Sequence, residues 1–262
     1  MLATALGGCR APTGSMRWVY AAILTAHDAE ARTYLDMRDR VRAESKRARL
    51  GVHAGGSRAA LVLCVAGEPT AEAVRRFFAM KRALQPPWWR RNGAITDTFA
   101  AAHAAASADP RTVVAAREAA EAVFAEHPKA KGHRREGARL CALAEADPRE
   151  TLARFERVET ARREERYLKG RSDRSLAMEW AAQGMDAADV AELAAIMRAL
   201  PKPAPSIGHG RARLAHLVLT AGAGGSPAGA AGALSAVLAA QAAVVAASAA
   251  AASTAATTAA GS

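Results

Sequence analysis

Five short turns, each built around an acidic residue, divide this chain at near-equal intervals. They read AHDAEA, AGEPTAEA, SADPRTVV, EADPRETL and QGMDAADV. Their acids Asp28, Glu68, Asp109, Asp147 and Asp186 are 40, 41, 38 and 39 residues apart. A sixth, degenerate turn, TAGAGGSPAG, falls about one period later, near residue 225. A short apolar stretch precedes each turn and a longer amphipathic one follows. Pro69, Pro110 and Pro148 come directly after their acids, and an acidic N-cap with proline at the first helical position is a strong helix-start signal. Sustained alternation is absent, so strands are not expected. A period near 40 with two helices per unit predicts an all-α fold: a right-handed-type stack of about six α-hairpins, solenoid-like, closed by a C-terminal capping helix. An irregular helical bundle is the competing reading.

The organisation expected is a poorly ordered extension over 1–15, one helical-repeat domain over 16–248 and a flexible Ala/Ser/Thr tail over 249–262. Met16, just before Trp18, is a second candidate start. The chain is 51% apolar but only 5% aromatic, and arginine outnumbers lysine 30 to 6. Alanine and arginine in such excess fit a GC-rich genome and are discounted as functional signals. Cys9, Cys64 and Cys141 form no CxxC pair and no disulfide framework, which fits a reducing cytoplasm. Cys64 and Cys141 read as buried thiols. From Leu214 onward the chain carries no formal charge. Leu234, Val237, Leu238, Val244 and Val245 supply only about −2 kcal/mol toward membrane insertion. They share one helical stripe, so the segment reads as a capping helix, not a membrane anchor.

The net charge of +11 is unevenly placed. Connectors 42–58, 81–93, 126–139, 162–174 and 198–213 hold 24 of the 36 basic residues and 6 of the 25 acids. Those 73 residues carry +18 and the remaining 189 carry −7. Stacked hairpins would place the connectors along one edge and the acidic turns along the other. Helix macrodipoles explain Lys81, Arg82, Arg162, Arg163 and Arg198, which close long helices. They do not explain Arg58, Arg135 and Arg211, which open short ones. A basic rim would attract an acidic protein or nucleic acid. The candidate partner-binding residues are Trp89, Arg90, Arg91, Arg134, Arg135 and Arg171. Trp89, Arg90 and Arg91 belong to PPWWRR, where Pro86 and Pro87 stop the preceding helix and stiffen a corner over which one tryptophan packs.

Catalytic and cofactor signals do not survive inspection. His127 and His133 lie in a loop crowded with bases, where Glu126 alone offers a carboxylate, so no metal site is expected. The glycine cluster GAGGSPAG has no preceding strand and no lysine, which removes a dinucleotide fold or a P-loop. No cofactor is implied. His103 and His216 read as core histidines, and Glu179 as a solvent-facing residue beside Trp180. The long helix TAEAVRRFFAMKRAL places Val74, Phe77, Phe78 and Leu84 on one face, with Arg75, Arg76 and Lys81 elsewhere.

MRWVYAAIL, SRAALVLCVAG and FAEHPKAKGHRREGARLCALAEADP, with an uncharged Ala/Ser-rich tail, resemble a bacterial family of unknown function. It is the domain of unknown function numbered four thousand and three. The likeness spans most of residues 16–250, and Glu126, His127 and Pro128 match a Glu-His-Pro that precedes a loop and an apolar helix in that family. It implies an all-helical, cytoplasmic protein and carries no activity or catalytic residue. The function expected is a non-enzymatic helical-repeat scaffold that binds a macromolecule through its basic edge. The alternative is a small-ligand protein or enzyme with a pocket between repeats, using Glu179, Trp180, His103 and His127.

Overall fold

The computed structural model describes residues 20–21, 23–25, 27–85, 93–169 and 174–199, with helical residues 212, 215, 216 and 219 beyond them. The expected extension over 1–15, the capping helix and the tail lie outside the described residues. Among the described residues every regular element is helical. The helices are α1 (Ala31–Ala48), α2 (Ser57–Val65), α3 (Ala71–Leu84), α4 (Gly93–Ala105), α5 (Pro110–Glu126), α6 (Arg134–Ala144), α7 (Pro148–Glu164), α8 (Arg174–Ala182) and α9 (Ala187–Ala199). Residues 20–21 and 23–25 are helical ahead of α1. Among the described residues no helix is long and apolar enough to cross a membrane.

The long helices start for the reasons the sequence advertises, with two corrections. The Asp109 carboxylate accepts hydrogen bonds from the Arg111 and Thr112 amides, and Asp147 accepts from Glu150. Pro110 and Pro148 occupy the first turn, where no amide donor is missed. Asp28 and Glu68, however, are not caps. Glu30 precedes α1, and Thr70 caps α3 by accepting from the Ala73 amide, so Pro69 lies outside its helix. At Asp186 the Asp189 carboxylate reaches back to the backbone amide at 2.7 Å. The true helix starts follow residues 30, 70, 109, 147 and 186, spaced 40, 39, 38 and 39. That is more regular than the spacing of the acids.

Four of the five turns share one backbone. Asp28, Ser107, Glu145 and Gly184 have φ of 51, 56, 52 and 87°. Each is followed by an amide bonded five residues back: Ala29 to Leu24, Ala108 to His103, Ala146 to Cys141 and Met185 to Trp180, at 2.8–3.0 Å. One left-handed residue thus satisfies carbonyls that the end of a helix would leave unpaired. The turn after α2 differs, because Gly67 is pressed against the end of α4. A Cβ on Gly67 would sit 2.9 Å from the Ala105 carbonyl oxygen.

Packing reverses the expected hairpin. Between consecutive helices the extensive pairs are α1 on α2, α3 on α4, α5 on α6 and α7 on α8, all joined by basic connectors, and α2 on α4 is as extensive. Helices joined by the acidic turns touch little, because so short a turn redirects the chain and leaves contact only near the corner. Short helices also meet the next short helix (α2–α4, α4–α6, α6–α8), and long helices the next long one (α1–α3, α3–α5, α5–α7, α7–α9). Tyr34, Phe77, Phe124, Phe155 and Trp180 are fully buried and anchor one continuous core. The α5–α6 contact depends on Gly137, whose Cβ would meet Phe124 at 2.7 Å.

Candidate functional site

Aligned on their starts, the long helices share a set of buried positions, and several charged residues occupy them. Lys81 is eleven residues after its cap, where the other repeats carry Val41, Ala120, Val158 and Met197, all buried. Contrary to its sequence assignment, Lys81 is only 4% exposed. The reason is Asp97 of α4, 1% exposed, whose carboxylate pairs with the Lys81 ammonium and also accepts the His53 amide at 2.6 Å. Glu179 is likewise buried, at 3%, and not solvent-facing. Its position holds Ala102 and Leu140 in neighbouring repeats. Arg162 is buried at the end of α7, bonded to Glu159 at 2.9 Å and to the Leu168 carbonyl. Burial works against the Glu159 carboxylate, but Arg162 and Arg163 outweigh it and hold its pKa below the usual range.

A second set of buried-position charges has no such partner. Arg117 of α5 is eight residues after its cap, where Arg38, Phe78, Phe155 and Ala194 stand in the other repeats, all buried. Arg139 of α6 is six residues before its left-handed turn residue, matching buried Ala101 and Met178. Both arginines line one open cleft, about 310 Å³ when the solvent at its mouth is counted. Leu84, Phe99 and Val113 form its apolar walls. Thr96 and His103 are its neutral polar groups, burial holding the imidazole pKa down at about 4. Among the described residues neither arginine has a carboxylate within ion-pairing distance. The Arg117 Nε is buried without a hydrogen-bond partner. Desolvation, then the neighbouring Arg117 charge, lowers the Arg139 pKa. Sequence reading singled out neither residue.

Of the six residues assigned to partner binding, Trp89, Arg90, Arg91 and Arg171 lie outside the described residues. The structure separates the other two. Arg134 is tied to Glu121 of α5 at 2.8 Å, whereas Arg135 is exposed and makes no ion pair. Other connector bases are also neutralised internally: Arg47 by Glu44, Arg163 by Glu159 and Arg198 by Glu165. At the acidic turns, Asp186 instead takes a two-pronged bond from Arg157 of the preceding long helix, which holds its pKa at about 2.

The polar groups considered for a pocket between repeats do not converge. His103 lines the cleft, Trp180 is fully buried with its ring 6.2 Å from that of His216, and His127 meets Glu156 at 3.1 Å on the surface. His103 and His216 are core histidines, as expected. Cys141 is buried and Cys64 half-buried, with burial pushing the Cys64 thiol up to about 12. Among the described residues no group of three or more His, Cys, Asp or Glu side chains is placed to hold a metal. Comparison with protein-family models, curated proteins and solved structures gives no match to this chain.

Proposed function

We propose that the chain is a helical-repeat scaffold, a solenoid-like stack that docks an acidic protein segment along its connector edge. The recurrent turn and the restriction of packing to helices one or two apart in the chain support the stacked arrangement. One observation carries the docking surface. Each of the first four connectors keeps an exposed base that has no carboxylate in ion-pairing range among the described residues: Arg49, Arg82, Arg135 and Arg166. No family model matches the chain, so the reading rests on this charge. Internally neutralised arginines interrupt the row, and such sparse cations suit carboxylates spaced along a polypeptide. A duplex presents a phosphate about every 1.7 Å and favours a denser stripe.

The test must separate edge placement from net charge alone. Labelled poly-L-glutamate is titrated at several salt concentrations against two variants of equal net charge. One carries Arg82→Gln, Arg135→Gln and Arg166→Gln. The other carries Arg32→Gln, Arg111→Gln and Arg149→Gln, exposed bases at the starts of long helices. The connector variant is expected to lose about tenfold in affinity and the control about twofold or less. Equal losses, or no binding at low salt, would overturn the proposal. Tighter, more steeply salt-dependent binding of a single-stranded RNA would assign the edge to nucleic acid instead.

A further inference from the structure

We propose that the cleft between α3, α4, α5 and α6 binds a small organic anion, a carboxylate carried on a short apolar chain. Arg117 and Arg139 hold its head, and Leu84, Phe99 and Val113 pack its body. This site is distinct from the connector edge and stands or falls independently of the acidic-partner reading.

Positions equivalent to Arg139 hold alanine and methionine, and those equivalent to Arg117 hold Phe78, Phe155, Ala194 and the buried Arg38, so the helices pack there without requiring a cation. Burying part of a guanidinium without an acceptor is unfavourable, and placing two together adds like-charge repulsion. The molecule shows how it treats a cation needed for structure: Lys81, one helix pair away, has Asp97. The α5–α6 pair supplies no equivalent acid to Arg117 or Arg139. Glu136 and Glu121 are close enough to influence Arg139 electrostatically, but neither is in ion-pairing range of it: Glu121 is committed to Arg134 and Glu136 lies 3.6 Å from the His133 imidazole.

The missing acceptor is therefore expected from outside. Guanidinium forks match a carboxylate in plane and spacing, with two N–H groups facing two oxygens. Apolar walls beside the two cations favour a head with a hydrocarbon body over a bare inorganic ion. Thr96 and neutral His103 add no charge, so the field at the cleft remains positive.

The probe is hexanoate, followed by backbone amide NMR shifts on the full chain. Hexylammonium serves as the charge-reversed control and inorganic phosphate as a head without a body. Hexanoate is expected to give saturable shifts at Thr96, Phe99, Val113 and Arg139, with phosphate weaker and hexylammonium without effect. Arg117→Gln and Arg139→Gln should each weaken hexanoate about tenfold. Arg135→Gln, an exposed neighbour, should change it by about twofold or less. Arg139→Met keeps the assay independent of folding, because Met178 already fills the equivalent position, and it too should lose binding. The proposal is overturned if hexanoate gives no saturable shift, if phosphate binds as tightly, if hexylammonium binds equally, or if the arginine variants retain affinity.

Discussion

The α3–α4 pair and the α5–α6 pair solve the same problem differently. Each carries basic side chains at positions that the rest of the repeat fills with apolar or buried residues. In the first pair Asp97 neutralises Lys81 and also satisfies the His53 amide, closing a small polar network within the core. In the second, Arg117 and Arg139 line one open cleft, and among the described residues neither has a carboxylate in ion-pairing range. The contrast separates a core-position charge whose counter-charge the fold supplies from a pair, lining an open cleft, whose counter-charge we assign to a ligand.

The sharpest way to break this comparison is to make the same kind of substitution on both sides. Lys81→Met strands a buried carboxylate and should cost about 3–5 kcal/mol in urea unfolding. Arg139→Met strands nothing and should not destabilise. Equal losses would remove the distinction between the two pairs.

Gly137→Ala tests whether the α5–α6 pair is as tightly packed as the arginine geometry requires. Its new methyl would collide with the Phe124 ring, and overpacking of this kind costs about 1–3 kcal/mol. Gly132→Ala, with nothing within 4 Å, should be tolerated. A neutral Gly137→Ala would show that the pair yields easily.

The cleft wall also gives a pH signature. The His103 pKa is about 4 when folded against 6.5 unfolded, so the unfolded chain binds the proton more readily. The stability contributed by neutral His103 is full above pH 6.5 and declines as pH falls through that window toward 4. His103→Leu, borrowing the residue of the equivalent position Leu24, should flatten this part of the stability–pH curve. At pH 5.5 the difference amounts to about 1 kcal/mol. An unchanged curve would mean that the imidazole is not desolvated.

The helices and their period were legible because Asp-Pro pairs at 109–110 and 147–148 mark helix starts by simple chemistry. The α1 and α3 starts were misplaced because acidic residues serve two roles in these turns. Asp28 takes the left-handed conformation that ends a helix, and the next helix begins only after Glu30. That error hid the site. Counted from Glu68, Lys81 aligns with Ala122 and Thr160, both exposed. Counted from Thr70, it aligns with the core. The same register places Arg117 beside Phe78 and Phe155 in the repeat and Arg139 beside Met178, so these outliers can be seen in the sequence once the caps are right. The packing of each long helix on the next short one was not legible, because turn length alone does not say how steeply two helices separate. Asp97 as the partner of Lys81 depends on that packing.

The central claim is that Arg117 and Arg139 occupy core positions for a ligand and not for the fold. Urea unfolding of the Arg117→Met/Arg139→Met double variant, with and without hexanoate, tests both halves at once. The account predicts a ligand-free variant more stable than the parent by about 1 kcal/mol, since two desolvated like charges are removed. It also predicts that hexanoate stabilises the parent and leaves the variant unchanged. A double variant less stable than the parent, or one that hexanoate still stabilises, would contradict it.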